Sequence, residues 1–232
     1  MPTSQASRAV ICPNPPALLP GATGRTAVAE IERLRAAAQA AVGWLREGGA
    51  PVLVLGGAPP AAVQRGQLLS ARAFGLRYEV AWGDGDGDGA GPGDAVALTA
   101  AAPLVAAYLL DGHDARYLGV RDPREARAAL AGSDVRSVLV MGGGSARRRD
   151  GAPGYLDERA VPFDDELARR IGGPDLDDLA DPDLALAARL LADLPAPLAV
   201  AAGLCRAPMQ ARLESYDAPY GVAQYVARWW RP

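Results

Sequence analysis

The chain has 232 residues, of which 50% are hydrophobic, and carries a net charge of −3 with an isoelectric point near 5.3. That length accommodates one large domain, or at most two small ones, with a substantial core, and the acidic balance excludes the basic footprint of a nucleic-acid binder. All 24 basic residues are Arg, which excludes lysine chemistry: no Schiff base, no phosphate-loop lysine, no lysine general base.

Arg8 to Cys12 is a short apolar run that stops at Pro-Asn-Pro-Pro, a strand opening into a loop. From Thr23 to Glu47, apolar residues at Val28, Ile31, Leu34, Ala38, Val42 and Leu45 step by three and four, which is one face of a helix. Gly48-Gly49 ends it, and Pro51 to Leu55 is a β-rich run closing on Gly56-Gly57. Strand, helix, strand in this order predicts parallel pairing with helices over the sheet. Leu76 to Trp82 predicts a third strand, and the Gly/Asp tract from Asp84 to Gly93 an exposed loop. Further on, Ala95 to Leu110 is helical, Arg116 to Val120 a strand, Pro123 to Ala131 a helix, and Val135 to Met141 a buried strand opening into Gly142-Gly143-Gly144-Ser145. Asp157 to Arg170 and Pro182 to Ala202 are helical, the second broken by Pro195 and Pro197. Met209 to Tyr216 and Val222 to Trp230 close the fold as strands. The expected architecture is α/β: a three-layer sandwich with a central mixed, largely parallel sheet flanked by helices, forming one domain over 1–232.

Cys12 and Cys205 do not make a disulfide scaffold. Met1 to Ser7 is polar and short, unlike a leader, and the longest apolar stretch, Ala95 to Leu110, falls short of a membrane span. A cytoplasmic protein touching neither membrane nor nucleic acid is expected.

Candidate chemistry gathers at strand ends, where open α/β sheets bind ligands. The loop Gly142 to Arg149 (GGGSARRR) has glycines that admit a close ligand and arginines suited to a carboxylate or phosphate. It lacks the Gly-Lys-Ser/Thr of a phosphate loop, and Arg147 stands where a nucleophile elbow needs glycine. An anion contact and a tight, solvated turn both remain open for it. Asn14 follows the first strand and Ser145 follows the strand ending at Met141, so both face one edge if those strands are parallel. Arg147 can reach the same opening, with Asp157 returning to pair with it, and Tyr155 beside them. The alternative for the segment Ala152 to Leu167 is a plain helix entry capped by Asp157. His113, the only histidine, is a surface-loop residue without metal-ligating neighbours, and Cys12 is a buried structural thiol. The alternate aspartates from Asp84 lack the twelfth-position Glu of a calcium loop, where Ala95 stands.

Five segments in order carry a resemblance: Ala9 to Pro20 (AVICPNPPALLP), Val52 to Gly57, Val138 to Arg149, Ala152 to Asp164, and Tyr216 to Trp229 (YDAPYGVAQYVARW). Together they resemble the catalytic-subunit (LigB-type) family of class III extradiol ring-cleavage dioxygenases, and within it a branch from high-GC Gram-positive bacteria. The PGYLDERA and APYGV segments are the ones specific to that branch. The resemblance implies a mixed sheet between helix layers and, in the active enzymes, a non-haem Fe(II) held by two histidines and a glutamate with another histidine for acid-base work. At the matching places this chain has Asn14 for the first ligand, no histidine after Gly57, Ala146 for the acid-base residue and Glu214 as the carboxylate candidate. One Asn cannot replace two imidazoles in tuning iron.

The expectation is therefore an extradiol-dioxygenase-like protein with no metal cofactor, binding a small anionic molecule or a partner protein through a cleft formed by Asn14, Ser145, Arg147, Tyr155 and Asp157. The alternative is an active metal-dependent or metal-independent enzyme on the same scaffold. Homo-oligomerisation is left open.

Overall fold

The structure is a computed structural model, and it describes residues 6–24, 27–57, 62–83, 95–173, 175–205 and 208–232. The expected exposed loop from Asp84 to Gly93 lies outside the described residues.

The central sheet has six strands. β1 (Arg8–Cys12), β2 (Val52–Gly57), β6 (Ala115–Val120) and β7 (Ser137–Met141) are parallel, and β8 (Gln210–Asp217) and β9 (Gln224–Trp230) add an antiparallel ribbon. The order across the sheet is β6-β2-β7-β1-β9-β8. The runs expected at Arg8–Cys12, Pro51–Leu55 and Val135–Met141 thus sit side by side, with Ala9 opposite Val138 and Leu53 opposite Val138.

Side chains alternate across a strand, and the alternation here divides the core in two. Ala9, Ile11, Leu53, Leu55, Val138 and Val140 face α3 (Pro123–Ala129), α4 (Ala160–Ile171) and α6 (Pro195–Leu204). Val10, Cys12, Val52, Val54, Leu139 and Met141 face α1 (Ala29–Arg46) and α2 (Ala101–Leu110). Because the central strands are covered on both faces, they are continuously apolar rather than alternating. Each fully buried Leu or Ile contributes roughly 1.5–3 kcal/mol. The result is the expected α/β sandwich.

Four expected elements come out differently. The first helix, expected from Thr23, begins only at Ala29, with Val28 extended as its N-cap. The third strand, expected over Leu76 to Trp82, shrinks to β4 (Glu79–Ala81) and lies in a separate small sheet of order β4-β3-β5. That sheet also holds β3 (Leu68–Ser70) and β5 (Val96–Ala97), so Val96 and Ala97 are extended where a helix was expected. Tertiary pairing, Leu69 opposite both Val80 and Val96, overrides local propensity here. The long helix from Pro182 to Ala202 is two, α5 (Leu184–Arg189) and α6, with Leu190 to Leu194 between them. Pro195 and Pro197 do not break a helix but begin one, since the first turn has no use for their missing N–H groups.

Candidate functional site

β1 leads to α1 on one face of the sheet, and its neighbour β7 leads to α4 on the other. Two adjacent parallel strands whose chains depart to opposite faces leave a crevice at their carboxyl ends. A cleft of about 600 Å³ lies there. Its walls include Asn14 to Ala17 after β1, Gly57 at the end of β2, Gly143 and Gly144 after β7, the first turn of α2, Leu191, Asp193, Tyr220 and Gln224.

Gly143 is clamped from two sides: its N–H donates to Asp193 Oδ1 at 2.6 Å, and its carbonyl accepts from the N–H groups of Asp193 and Leu194. Asn14 Nδ2 donates to the other Asp193 oxygen at 2.8 Å. Asp193 therefore ties the loop after β1 to the loop after β7. Protein packed around Asp193 pushes its pKa above the ordinary carboxylate range, opposed by the Gly143 and Asn14 hydrogen bonds. The residue still opens to solvent through the cleft, which weakens that push.

At the cleft floor Gln224 is only 2% exposed, and its Oε1 has no hydrogen-bond partner. A Cβ built on Gly143 would come 3.2 Å from Gln224 Nε2, so this amide lies against the glycine loop. Opposite, α2 begins at the cleft wall with Ala100 as N-cap, which has no side-chain oxygen to satisfy the helix's first N–H groups. Leu191 and Tyr220 flank the mouth, about half exposed, and both hold left-handed backbone at φ 58° and 56°. Of the three non-glycine residues with positive φ among those described, two line this cleft. Such strain survives where the surroundings fix it, often at functional sites.

Of the five residues expected to converge, only Asn14 lines the cleft. Ser145 leaves the sheet on the same edge but is fully buried; its Oγ donates to the Leu190 carbonyl at 2.9 Å and accepts from Arg147 N–H at 3.0 Å. It pins the loop to the turn after α5. Arg147 lies flat on Gly154, whose Cβ would meet Arg147 Cγ at 2.6 Å, and its Nε is buried without a partner. Asp157 does not close on the Arg147 guanidinium. Its N–H donates to the Arg147 carbonyl, while its carboxylate makes a two-pronged pair with Arg159, which holds it down at about 2. Local geometry decides this, because a residue two positions away reaches the carboxylate at least entropic cost. Tyr155 is 91% exposed and does not line the cleft. The glycine loop itself is buried through Ser145 rather than solvated.

Sequence reasoning missed Asp193, Gln224 and Arg148. Arg148, not Arg147, is the engaged arginine of the triplet. It donates to Asp164 Oδ2 at 2.9 Å and to the Tyr216 hydroxyl at 2.6 Å, and Tyr216 donates on to Asp165. Asp164 is fully buried and also accepts from Ser145 N–H at 2.8 Å and Tyr225 at 3.1 Å, so one carboxylate anchors the whole loop. Asp193 sits two residues before Pro195, and that proline was the available sign that a helix starts there rather than continues.

The donor set does not fit the iron that the resemblance implies. His113 lies where the parallel strands begin, its ring nitrogen 3.0 Å from the Ala50 carbonyl, at the edge opposite the cleft. Glu214 belongs to the β8–β9 ribbon and is paired with Arg228 and Arg212. Among the described residues no group of three or more His, Cys, Asp or Glu side chains could hold a metal ion. Cys12 and Cys205 are free and buried, and burial pushes the Cys205 thiol up to about 12 and the Cys12 thiol higher still. No helix among the described residues is long and apolar enough to cross a membrane. No model of a known protein family matches the chain, and no curated protein matches it either.

Proposed function

We propose that this is a LigB-type, extradiol-dioxygenase-like protein without the histidine iron site, repurposed to bind a small organic acid in the strand-end cleft. The observation that carries the reading is Gln224 Oε1, a buried acceptor without a partner on the cleft floor. An unpaired buried acceptor costs about 1–3 kcal/mol, and a ligand hydroxyl donating to it recovers that cost. The Ala101 and Ala102 N–H groups at the start of α2, which have no side-chain cap, favour an anionic group at that wall. No arginine lines the cleft among the described residues, so the helix end takes the role first expected of Arg147. Pro15, Pro16, Ile31, Phe74 and Val222 supply apolar walls for the ligand body.

Calorimetric titration with mandelate and with phenylacetate, which lacks the hydroxyl, tests this. Mandelate should bind more tightly by about 1–3 kcal/mol, and Gln224→Met should erase the difference. Equal affinities for the two acids in the unsubstituted protein would refute the role of Gln224.

A second reading, an enzyme on this scaffold, draws on Asp193, whose raised carboxyl pKa and place in the cleft suit a general base. Turnover of a bound hydroxy acid, lost in Asp193→Asn with binding retained, would favour it over simple binding.

A further inference from the structure

We infer that the opposite edge of the sheet carries a second, independent site, one that binds a small phosphate-type oxyanion.

The site follows from strand register. Arg8 pairs with Trp230, Val10 with Arg228, and Arg212 with Arg228. Val10 belongs to the core on the α1 face, so by alternation Arg8, Arg212, Arg228 and Trp230 all project from that face. The helix covers the face only as far as Trp44, near its carboxyl end. Beyond it lies a pocket of about 290 Å³ lined by Arg8, Trp44, Arg212, Arg228, Trp230 and Arg231. Among the described residues, every lining side chain is an arginine or a tryptophan.

Arg8, Arg212 and Arg228 bring three guanidiniums together here in a protein whose overall charge is −3. Arg212 and Arg228 share one carboxylate, Glu214, the extra residue of a bulge in β8. The guanidiniums of Arg8, Arg212 and Arg228 together outnumber that one carboxylate, so positive charge collects here and a bound anion would relieve it.

Two of the guanidiniums are already held in place. Arg8 donates to the Trp44 carbonyl at 2.9 Å and lies 4.8 Å from the centre of the Trp44 ring. Arg228 Nε donates to Glu214 at 2.8 Å, and its guanidinium lies 5.5 Å from the same ring. Stacked and tethered, these planar groups lose little further freedom on binding. Trp230, edge-on to Trp44 at 6.3 Å, closes the side and reduces hydration. Several guanidiniums arranged around one small volume suit a tetrahedral dianion, which accepts from several directions, better than a carboxylate, which fills a single fork.

The tryptophans give a site-resolved readout with the intact chain. Trp82 and Trp229 bury their indole N–H groups on the Ala115 and Ile171 carbonyls, whereas Trp44 and Trp230 line the pocket. Inorganic phosphate, titrated at constant ionic strength against sodium chloride, should saturably shift the indole signals of Trp44 and Trp230 in a 1H–15N spectrum and leave Trp82 and Trp229 in place. Phenyl phosphate distinguishes the source: tighter binding than phosphate means a phosphorylated organic molecule, equal binding means the free ion. Arg8→Gln and the more exposed Arg212→Gln should each weaken phosphate at least tenfold while the Trp82 and Trp229 signals report an intact fold. Shifts that chloride reproduces, shifts that never saturate, or affinities unchanged in both variants would overturn the site. Tighter binding of a short DNA duplex at the same indoles would overturn the small-anion assignment.

Discussion

Replacing Gly144 by Ala tests whether the glycine loop is held by the buried carboxylate beneath it. A Cβ at this position would overlap Asp164 Oδ1, sit 2.6 Å from the Tyr225 hydroxyl and 2.9 Å from Ala223 Cβ. None of these can yield freely. Asp164 is fixed by Ser145 N–H, Arg148 and Tyr225, and Gly144 N–H itself donates to the Ala223 carbonyl at 2.8 Å. Overpacking of a rigid core costs about 1–3 kcal/mol, and disturbing a hydrogen bond to a buried charged group adds about 1.5–3 kcal/mol. The substitution should therefore cost roughly 3–5 kcal/mol, which for a chain of this size lowers the melting temperature by about 6–20 °C. Gly43→Ala is the matched control: inside α1, with no atom within 4 Å of the added methyl, it should stabilise by about 0.5–1 kcal/mol. Scanning fluorimetry and urea titration measure both. A Gly144→Ala protein melting within about 2 °C of the parent, under 1 kcal/mol, would show that Asp164 does not fix the loop as described.

Leu191→Gly should stabilise by about 1 kcal/mol in urea titration, because it releases a left-handed leucine that is half exposed; a loss of stability would mean that the Leu191 side chain contributes more than its strain costs. The Glu166 carboxyl, held by Arg169 and Arg170, should titrate at about 2 by NMR. Its folded value is depressed, so its contribution is present above the ordinary glutamate range and fades as pH falls through about 2; a midpoint in the ordinary range would mean those pairs do not persist in solution. Anaerobic loading with Fe(II) followed by elemental analysis should leave no stoichiometric iron, since Asn14, Asp193 and Glu214 do not form a shared donor set; one tightly held iron per chain would contradict the metal-free reading.

The central strands were legible because they are apolar throughout, and a strand covered on both faces has no other composition open to it. α1 was legible from the three-and-four spacing of Ile31, Leu34, Ala38, Val42 and Leu45, all of which are buried. The small sheet was not, since Leu68–Ser70 and Val96–Ala97 are too short to show a period and exist only through pairing. Within the site, topology placed Asn14 and Ser145 on one edge, as parallel strands require. What the side chains do there depended on contacts distant in sequence. Ser145 turns inward to Leu190, 45 residues on, and Asn14 reaches Asp193, 179 residues on. Gln224 was hidden for a related reason: in a strand its period shows which face it takes, not that its amide lacks a partner.

The direct test of the account is a 1H–15N spectrum of the protein titrated with mandelate. The side-chain amide of Gln224 and the backbone N–H groups of Ala101 and Ala102 should shift together and saturate, with Trp44 and Trp230 unmoved. Shifts confined to other residues, or none at millimolar mandelate, would contradict the claim that the strand-end cleft is the binding site.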